Sequence, residues 1–338
     1  MSDSADEVST ADTMRERAGE SRLKLWLLVG ANRLFVTVVL SVTVFVLFML
    51  GALLEPRLSS VLLERAVIEV MFSAMLTAII TAVTLVVTIG QMILSQENGP
   101  LGDQHDRMRE TMDVRDSVTD LIGEPAPADP SAFLGRLVET ASERATDLAD
   151  SVAGVDDAGL RDEVGEFVDS LTGNADTVSQ KLDGARFGSF DVVYASMDFN
   201  YGWKIFQLER LRASYDAVLE REQRDALEAL HRVLVLYGPA REHVKTLYFQ
   251  WALIDLSRLI LYVSVPALLV SGMMLAFVTP ETVPGTTLGV ENLLWTVGIA
   301  FTVTLLPFFL LMAYVVRITT VAKRTLAIGP LILRDSQR

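Results

Sequence analysis

Eight polar side chains recur at steps of three or four along one apolar stretch, residues 66–95: Glu69, Ser73, Thr77, Thr81, Thr84, Thr88, Gln91 and Ser95. At about 100° per residue a helix gathers them into an arc of roughly 120°. Oxygen atoms in file are what replaces water around a moving ion, and a ring of Glu69 carboxylates at one mouth would favour cations. The pattern therefore points to a polar pathway through a membrane, formed when several copies set this face around an axis. A quieter chemistry competes with it. Ser and Thr hydroxyls also bond to carbonyls of their own helix, or to a neighbour at a buried helix interface.

The same helix carries two further faces. Ala74, Ala78 and Ala82 form a row at four-residue spacing, the kind that lets helix backbones approach closely in lipid. Phe72, Met75, Leu76, Ile79, Val83, Val86 and Ile93 make a third face with nothing polar, which reads as the lipid side. Two ionisable pairs, Arg65 with Glu69 and Asp255 with Arg258, are one turn apart. Ionisable groups at membrane depth are functional candidates by default, but pairing across one turn near a membrane boundary also explains them. Pro266 and Pro307 fall inside apolar segments and are candidate gating hinges, because a proline interrupts the backbone ladder.

Catalysis finds little support. His105, His231 and His243 are the three histidines, and none has metal-ligand spacing. His105 with Asp103 and Asp106 reads as a solvated turn. Phosphate-cradling glycine loops with their lysine and nucleophile elbows around serine are lacking. The run Asp198-Phe199-Asn200-Tyr201-Gly202 has the start of a calcium loop without its downstream acidic ligand. The absence of cysteine excludes disulfides, thiolate nucleophiles and thiolate metal sites. No enzyme activity, catalytic residue, metal or cofactor is expected.

The chain that positions the polar row has 338 residues, 51% of them hydrophobic and 21% charged. Its apolar residues are concentrated in four segments, 34–54, 66–95, 251–278 and 293–316, each at or above the roughly 18–20 residues that cross a bilayer. No cleavable signal peptide is visible, since the first twenty residues are acidic and polar. Arg15, Arg17, Arg22, Lys24 and Arg33 precede the first segment, and Arg317, Lys323 and Arg324 follow the last. The loop 279–292 has no Lys or Arg. The positive-inside rule then puts both termini and the middle region in the cytoplasm of a multi-pass plasma-membrane protein.

Charge is distributed unevenly. Between Glu97 and Lys245 there are 30 Asp and Glu against 16 Lys and Arg, a deficit equal to the net charge of −14 for the whole chain. Of the basic residues 24 are Arg and 5 are Lys. An acidic, lysine-poor domain suits a halophile, where the Debye length at molar salt is about 3 Å; an acidic domain from a GC-rich bacterium is the alternative. Neither reading favours nucleic acid or anionic lipid as a partner for this region, since both need a basic surface, and no nucleic-acid partner is expected.

The junction Gly90-Gln91-Met92-Ile93-Leu94-Ser95-Gln96-Glu97-Asn98-Gly99-Pro100-Leu101-Gly102-Asp103-Gln104-His105-Asp106-Arg107-Met108, followed by residues 125–130 and Phe133-Leu134, resembles a family of haloarchaeal multi-pass membrane proteins with no established activity. The resemblance implies source and topology only. The order of two spans, a helical cytoplasmic domain and two more spans is also similar to bestrophin-type channels in architecture, with no shared motif.

Within the middle region Asp129 and Pro130 signal a helix start. Phe133, Leu134, Leu137, Val138, Ala141, Ala145, Leu148 and Val152 then keep one helical face, and after Gly154 a second is kept by Leu160, Val164, Phe167, Leu171, Val178 and Leu182. The two should pair as an antiparallel hairpin or contribute to a coiled-coil bundle. Residues 184–202 read as a packed loop or short irregular element, and 203–236 as one helix. Gly238-Pro239 should break the chain and start a new helix, 239–278, about 60 Å long and running from the cytoplasm into the bilayer.

The expectation is an all-α integral membrane protein. Residues 1–33 form an acidic disordered tail with a juxtamembrane segment, 34–95 the first two spans, 96–247 an acidic helical cytoplasmic domain, 248–316 the last two spans, and 317–338 a cytoplasmic tail. Its expected partners are the lipid bilayer, further copies of itself and inorganic ions. The leading function is a homo-oligomeric ion channel lined by the second span. The alternative is a non-conducting scaffold or signalling protein that recruits a soluble partner through the acidic domain.

Overall fold

The computed structural model describes residues 26–55, 60–97, 99–185 and 190–326. The acidic tail expected over residues 1–33 lies mostly outside the described residues, as does the tail from 327 onwards. The described chain is all-α apart from one two-stranded ribbon. A short π-helical segment, Trp26–Gly30, is followed by α1 (Arg33–Leu54), α2 (Arg65–Glu97), α3 (Leu101–Ile122), α4 (Pro130–Val152), α5 (Ala158–Asp183), α6 (Phe190–Met197), α7 (Tyr201–Ser214), α8 (Arg221–Phe277) and α9 (Asn292–Leu326). Between α8 and α9, β1 (Thr286–Thr287) pairs antiparallel with β2 (Val290–Glu291). The two-residue turn of this ribbon, Leu288-Gly289, has φ of 56° and 79°, the paired left-handed geometry of a tight hairpin.

Four helices are long and apolar enough to cross a membrane, over Arg33–Leu54, Arg65–Met92, Arg221–Phe277 and Asn292–Lys323. The chain divides into two compact units, one of residues 27–98 and 250–319, the other chiefly of residues 99–249 with the chain from Thr320 onwards. Helix α8 contributes to both.

In the first unit, which holds the apolar helices, Ile68 and Phe72 of α2 pack with Met274 of α8 and with Leu293, Val297 and Ala300 of α9. Further along, Val86, Leu256, Ile260 and Leu310 form a second cluster. Met49 and Ala52 of α1 meet Leu294 of α9. Gly298 admits α1 here, since a Cβ on it would lie 3.2–3.3 Å from Phe45, Phe48 and Met49. Arg33 is buried, and its guanidinium donates to the Ala31 carbonyl at 2.6 Å and to the Ala313 carbonyl of α9 at 3.2 Å.

In the second unit, which is helical, α4 and α5 form the expected hairpin. Asp129 caps α4 by accepting from the Ser131 and Ala132 amides, and Asp157 caps α5 by accepting from the Leu160 amide. Leu134, Leu137, Val138, Ala141, Ala145 and Leu148 are buried from one side, and Leu160, Val164, Phe167, Leu171 and Val178 from the other. Phe133 sits at the edge of that face and is half-buried.

Three local expectations are corrected. Residues 184–202 hold a helix, α6, whose Phe190, Val192, Val193 and Met197 are buried. The helix expected over 203–236 is interrupted between Ser214 and Arg221. Arg224 holds the interruption by donating to the carbonyls of Leu219 and Asp216 and to the Asp216 carboxylate, while Gln223 donates to the Ser151 carbonyl across the unit. The Gln223–Ser151 bond is set by tertiary packing, and the Arg224 bonds form only once the chain has turned back at 215–220, so helical periodicity does not announce the break. Conversely Gly238-Pro239 breaks nothing: α8 runs through for 57 residues, about 85 Å at 1.5 Å per residue. Pro239 and Val235 are both exposed, so the carbonyl deprived of its N–H partner lies on the side that water can reach.

The α8 segment at this point closes over a buried cation–aromatic cluster. Lys204 is fully buried, lies 4.6 Å from the centre of the Phe199 ring, and donates to Asn174 Oδ1 at 2.8 Å. Asn174 in turn donates to the Asp198 carbonyl, and Lys181 pairs with the Asp198 carboxylate. Asp198, which begins the run that looked like an incomplete calcium loop, is therefore a buried structural partner, and Asn200 caps α7 through the Trp203 amide. Tyr237 donates to the Ser196 carbonyl, and burial pushes its phenol far above the usual range.

Arg241 stacks on Tyr201, 4.9 Å from the ring centre, and donates to Glu242, which also accepts from Lys245. Burial works against the Glu242 carboxylate, but the Lys245 and Arg241 hydrogen bonds outweigh it and hold its pKa below 4.5. A carboxyl lowered on folding contributes stability that is complete above its ordinary range and is lost as pH falls through the lowered value. The helical unit is expected to weaken below about pH 4.5. Glu242→Gln should flatten this acid limb in a plot of Tm against pH.

Candidate functional site

The eight polar residues of the second apolar segment all lie on α2, and the structure separates them from the face that packs. Ile68, Phe72, Ile79 and Val86 are buried inside the chain, whereas Ser73, Thr77, Thr81, Thr84, Thr88, Gln91 and Ser95 are exposed and Glu69 is half-buried. The apolar face read from sequence as the lipid side, with Phe72, Ile79 and Val86 buried and Met75, Leu76 and Val83 half-buried, is thus the inner face, a correction with a simple cause; the Ile93 side chain lies outside those described. Large apolar side chains serve lipid and protein neighbours equally well, so composition does not distinguish the two. Among the alanines, Ala74 is exposed and Ala78 and Ala82 are half-buried, so that row borders the contact within the chain. Helix α2 meets α8 at Gly90, where a Cβ would be in ordinary contact with the Ser257 hydroxyl at 3.9 Å.

Hydrogen bonding gives the row a definite chemical sense. Thr77 donates to the Ser73 carbonyl at 3.1 Å, Thr81 to Thr77 at 2.9 Å, Thr84 to Ile80 at 3.0 Å, Thr88 to Thr84 at 2.9 Å and Ser95 to Met92 at 2.7 Å. A hydroxyl has one hydrogen and two lone pairs. With the hydrogen committed to the helix backbone, each oxygen turns acceptor capacity outward. The result is a file of acceptors, suited to a cation or to the hydrogens of water. The same bonds satisfy the donors of these five hydroxyls, so that part of the face can also rest against protein at little cost.

At one end of the file Glu69 accepts from Arg65 Nε at 2.7 Å, both side chains being about half exposed. The carboxylate is therefore paired, and its field along the row is weakened by the guanidinium beside it. Asp255 and Arg258 pair likewise at 3.3 Å on α8. Pro266 is exposed on α8 and Pro307 buried in α9, and both helices continue through them. His105 is exposed near the start of α3, 3.6 Å from Asp106.

A second polar seam runs inside the first unit and was missed from sequence. Ser257, Ser264 and Ser271 follow one another at seven-residue steps on the inner side of α8. Ser264 and Ser271 are at most 2% exposed, and among the described residues their hydroxyls have no hydrogen-bond partner. The seven-residue spacing was the available signal, hidden because three small residues barely lower the hydropathy of the segment.

The model of a family of unknown function, DUF7972, matches residues 1–338. The chain belongs to that family. No curated protein and no solved structure matches it. The family carries no activity to transfer, so a functional argument rests on the α2 row and its geometry.

Proposed function

We propose that the protein is a homo-oligomeric cation channel in which copies of α2 surround the pathway and turn the file from Ser73 to Ser95 toward it. The observation that carries this reading is the exposed row of oxygens whose hydrogens are already bonded to the backbone, leaving lone pairs for an ion. In this reading the first unit spans the plasma membrane with both termini in the cytoplasm, and Glu69 stands near the outer mouth. The acidic, lysine-poor composition supports a haloarchaeal source. The order of two spans, a helical unit and two spans is the architecture that resembles bestrophin-type channels. Pro266 and Pro307 are the hinge candidates for gating.

Cysteine chemistry tests the pathway in this cysteine-free chain. Thr77→Cys, Thr81→Cys and Thr84→Cys, introduced singly, should react with small aqueous thiol reagents in lipid vesicles, and flux should fall as they do. Protected cysteines would favour the scaffold, which the self-satisfied hydroxyls also allow. Selectivity gives a second test with opposite signs. Glu69→Gln should weaken cation preference, and Arg65→Gln should strengthen it by freeing the carboxylate. An unchanged reversal potential in both variants would remove Glu69 from the pathway.

A further inference from the structure

The helical unit contains an apolar groove of about 420 Å³, within the range of roughly 300–1,000 Å³ in which proteins hold ligands. Its walls include Val114 of α3, Pro127 before α4, Phe133 of α4, and Ala240, Val244 and Leu247 of α8. Glu110, exposed on α3, adds a carboxylate to the lining. Arg115 is already used within the unit, where it donates to the carbonyls of Ala126 and Pro127 and fixes the 123–129 connection. The groove is thus preformed, mainly apolar, and acidic at one place.

We propose that this groove is the docking site of the chain's own C-terminal segment, Ile328-Gly329-Pro330-Leu331-Ile332-Leu333, with Arg334 set against Glu110. Three observations select that occupant. The segment is a run of six residues without a polar or charged side chain, far short of the roughly 20 needed to cross a bilayer, so it is not a span itself. Its chemistry complements the groove: aliphatic side chains for the apolar walls, then a guanidinium for the carboxylate. The end of α9 from Thr320 belongs to the same compact unit as the groove, and Arg334 follows Leu326 by eight residues, up to about 28 Å when extended. Docking would tie the chain beyond α9 to α3, which follows α2, and to the segment of α8 that precedes Trp251.

The test uses the full chain in membranes and exploits its lack of cysteine. Ala128→Cys places a thiol on an exposed lining position, and Thr146→Cys places one on an exposed position away from the groove. The expected result is that a water-soluble maleimide modifies Ala128→Cys at least ten-fold more slowly in the full chain than in a chain ending at Leu326, with Thr146→Cys unaffected. Leu331→Asp with Leu333→Asp should release the block as truncation does, which covers the case of a shortened chain that fails to fold. Ala128→Cys combined with Leu331→Cys should oxidise to a cross-link within one chain. Equal rates in the long and short chains, or a slow rate that persists without the tail, would overturn the proposal. A dimer-sized cross-link would assign the groove to a neighbouring copy's tail and overturn docking within one chain.

Discussion

Lys204→Ala is expected to cost the helical unit about 3–5 kcal/mol, the range for removing one partner from a buried charged network or a large side chain from a core. The residue is fully buried, and Asn174 Oδ1 accepts from it at 2.8 Å. Truncation removes that donor, empties the space beside the Phe199 ring, and leaves a buried acceptor unsatisfied. Lys204→Met keeps most of the volume and loses only the charge and the hydrogen bond, so it should cost about 1–3 kcal/mol. Chemical denaturation of the two variants, followed by tryptophan fluorescence, separates the terms. Equal and small losses would mean that the ammonium is not held where the geometry places it.

Gly238→Val should cost about 1–3 kcal/mol through overpacking. A Cβ at this position would lie 2.8 Å from the Tyr201 ring edge and 3.1 Å from its hydroxyl, and Tyr201 is itself 6% exposed, with little room to withdraw. The ring carries Arg241 on its face, so a shift there propagates to the Arg241–Glu242–Lys245 group on α8. Tyr201→Ala should absorb most of the penalty. In a double-mutant cycle the pair is expected to be less destabilised than the sum of the single changes, whereas strict additivity would show that the two side chains do not meet.

Glycine's role here explains why the sequence misled at this point. Gly238-Pro239 has the composition of a helix breaker, and local rules read it as one. In the fold the glycine admits an aromatic ring and the proline faces outward, so the pair is compatible with an unbroken α8. The converse holds at residues 215–220, whose composition is helical but whose backbone carbonyls are taken by Arg224. At Gly238 a long-range contact with Tyr201 outweighs a local preference of about 1–3 kcal/mol, whereas at 215–220 the Arg224 bonds are close in sequence and Gln223 supplies the distant one, to the Ser151 carbonyl.

Period and composition were enough for what depends on the chain alone. They specified the four membrane-length helices, the paired faces of α4 and α5, the cap at Asp129, and the gathering of Ser73, Thr77, Thr81, Thr84, Thr88, Gln91 and Ser95 on one side of α2. Each follows from the fixed rotation of a helix and the cost of leaving apolar groups in water. Tertiary structure decided which side of α2 packs, that Lys204 and Arg241 are buried among aromatics, that Ser257, Ser264 and Ser271 face inward, and that α8 is unbroken. Those outcomes depend on residues far apart in the chain meeting at a few ångströms, a property that no window of neighbouring residues contains.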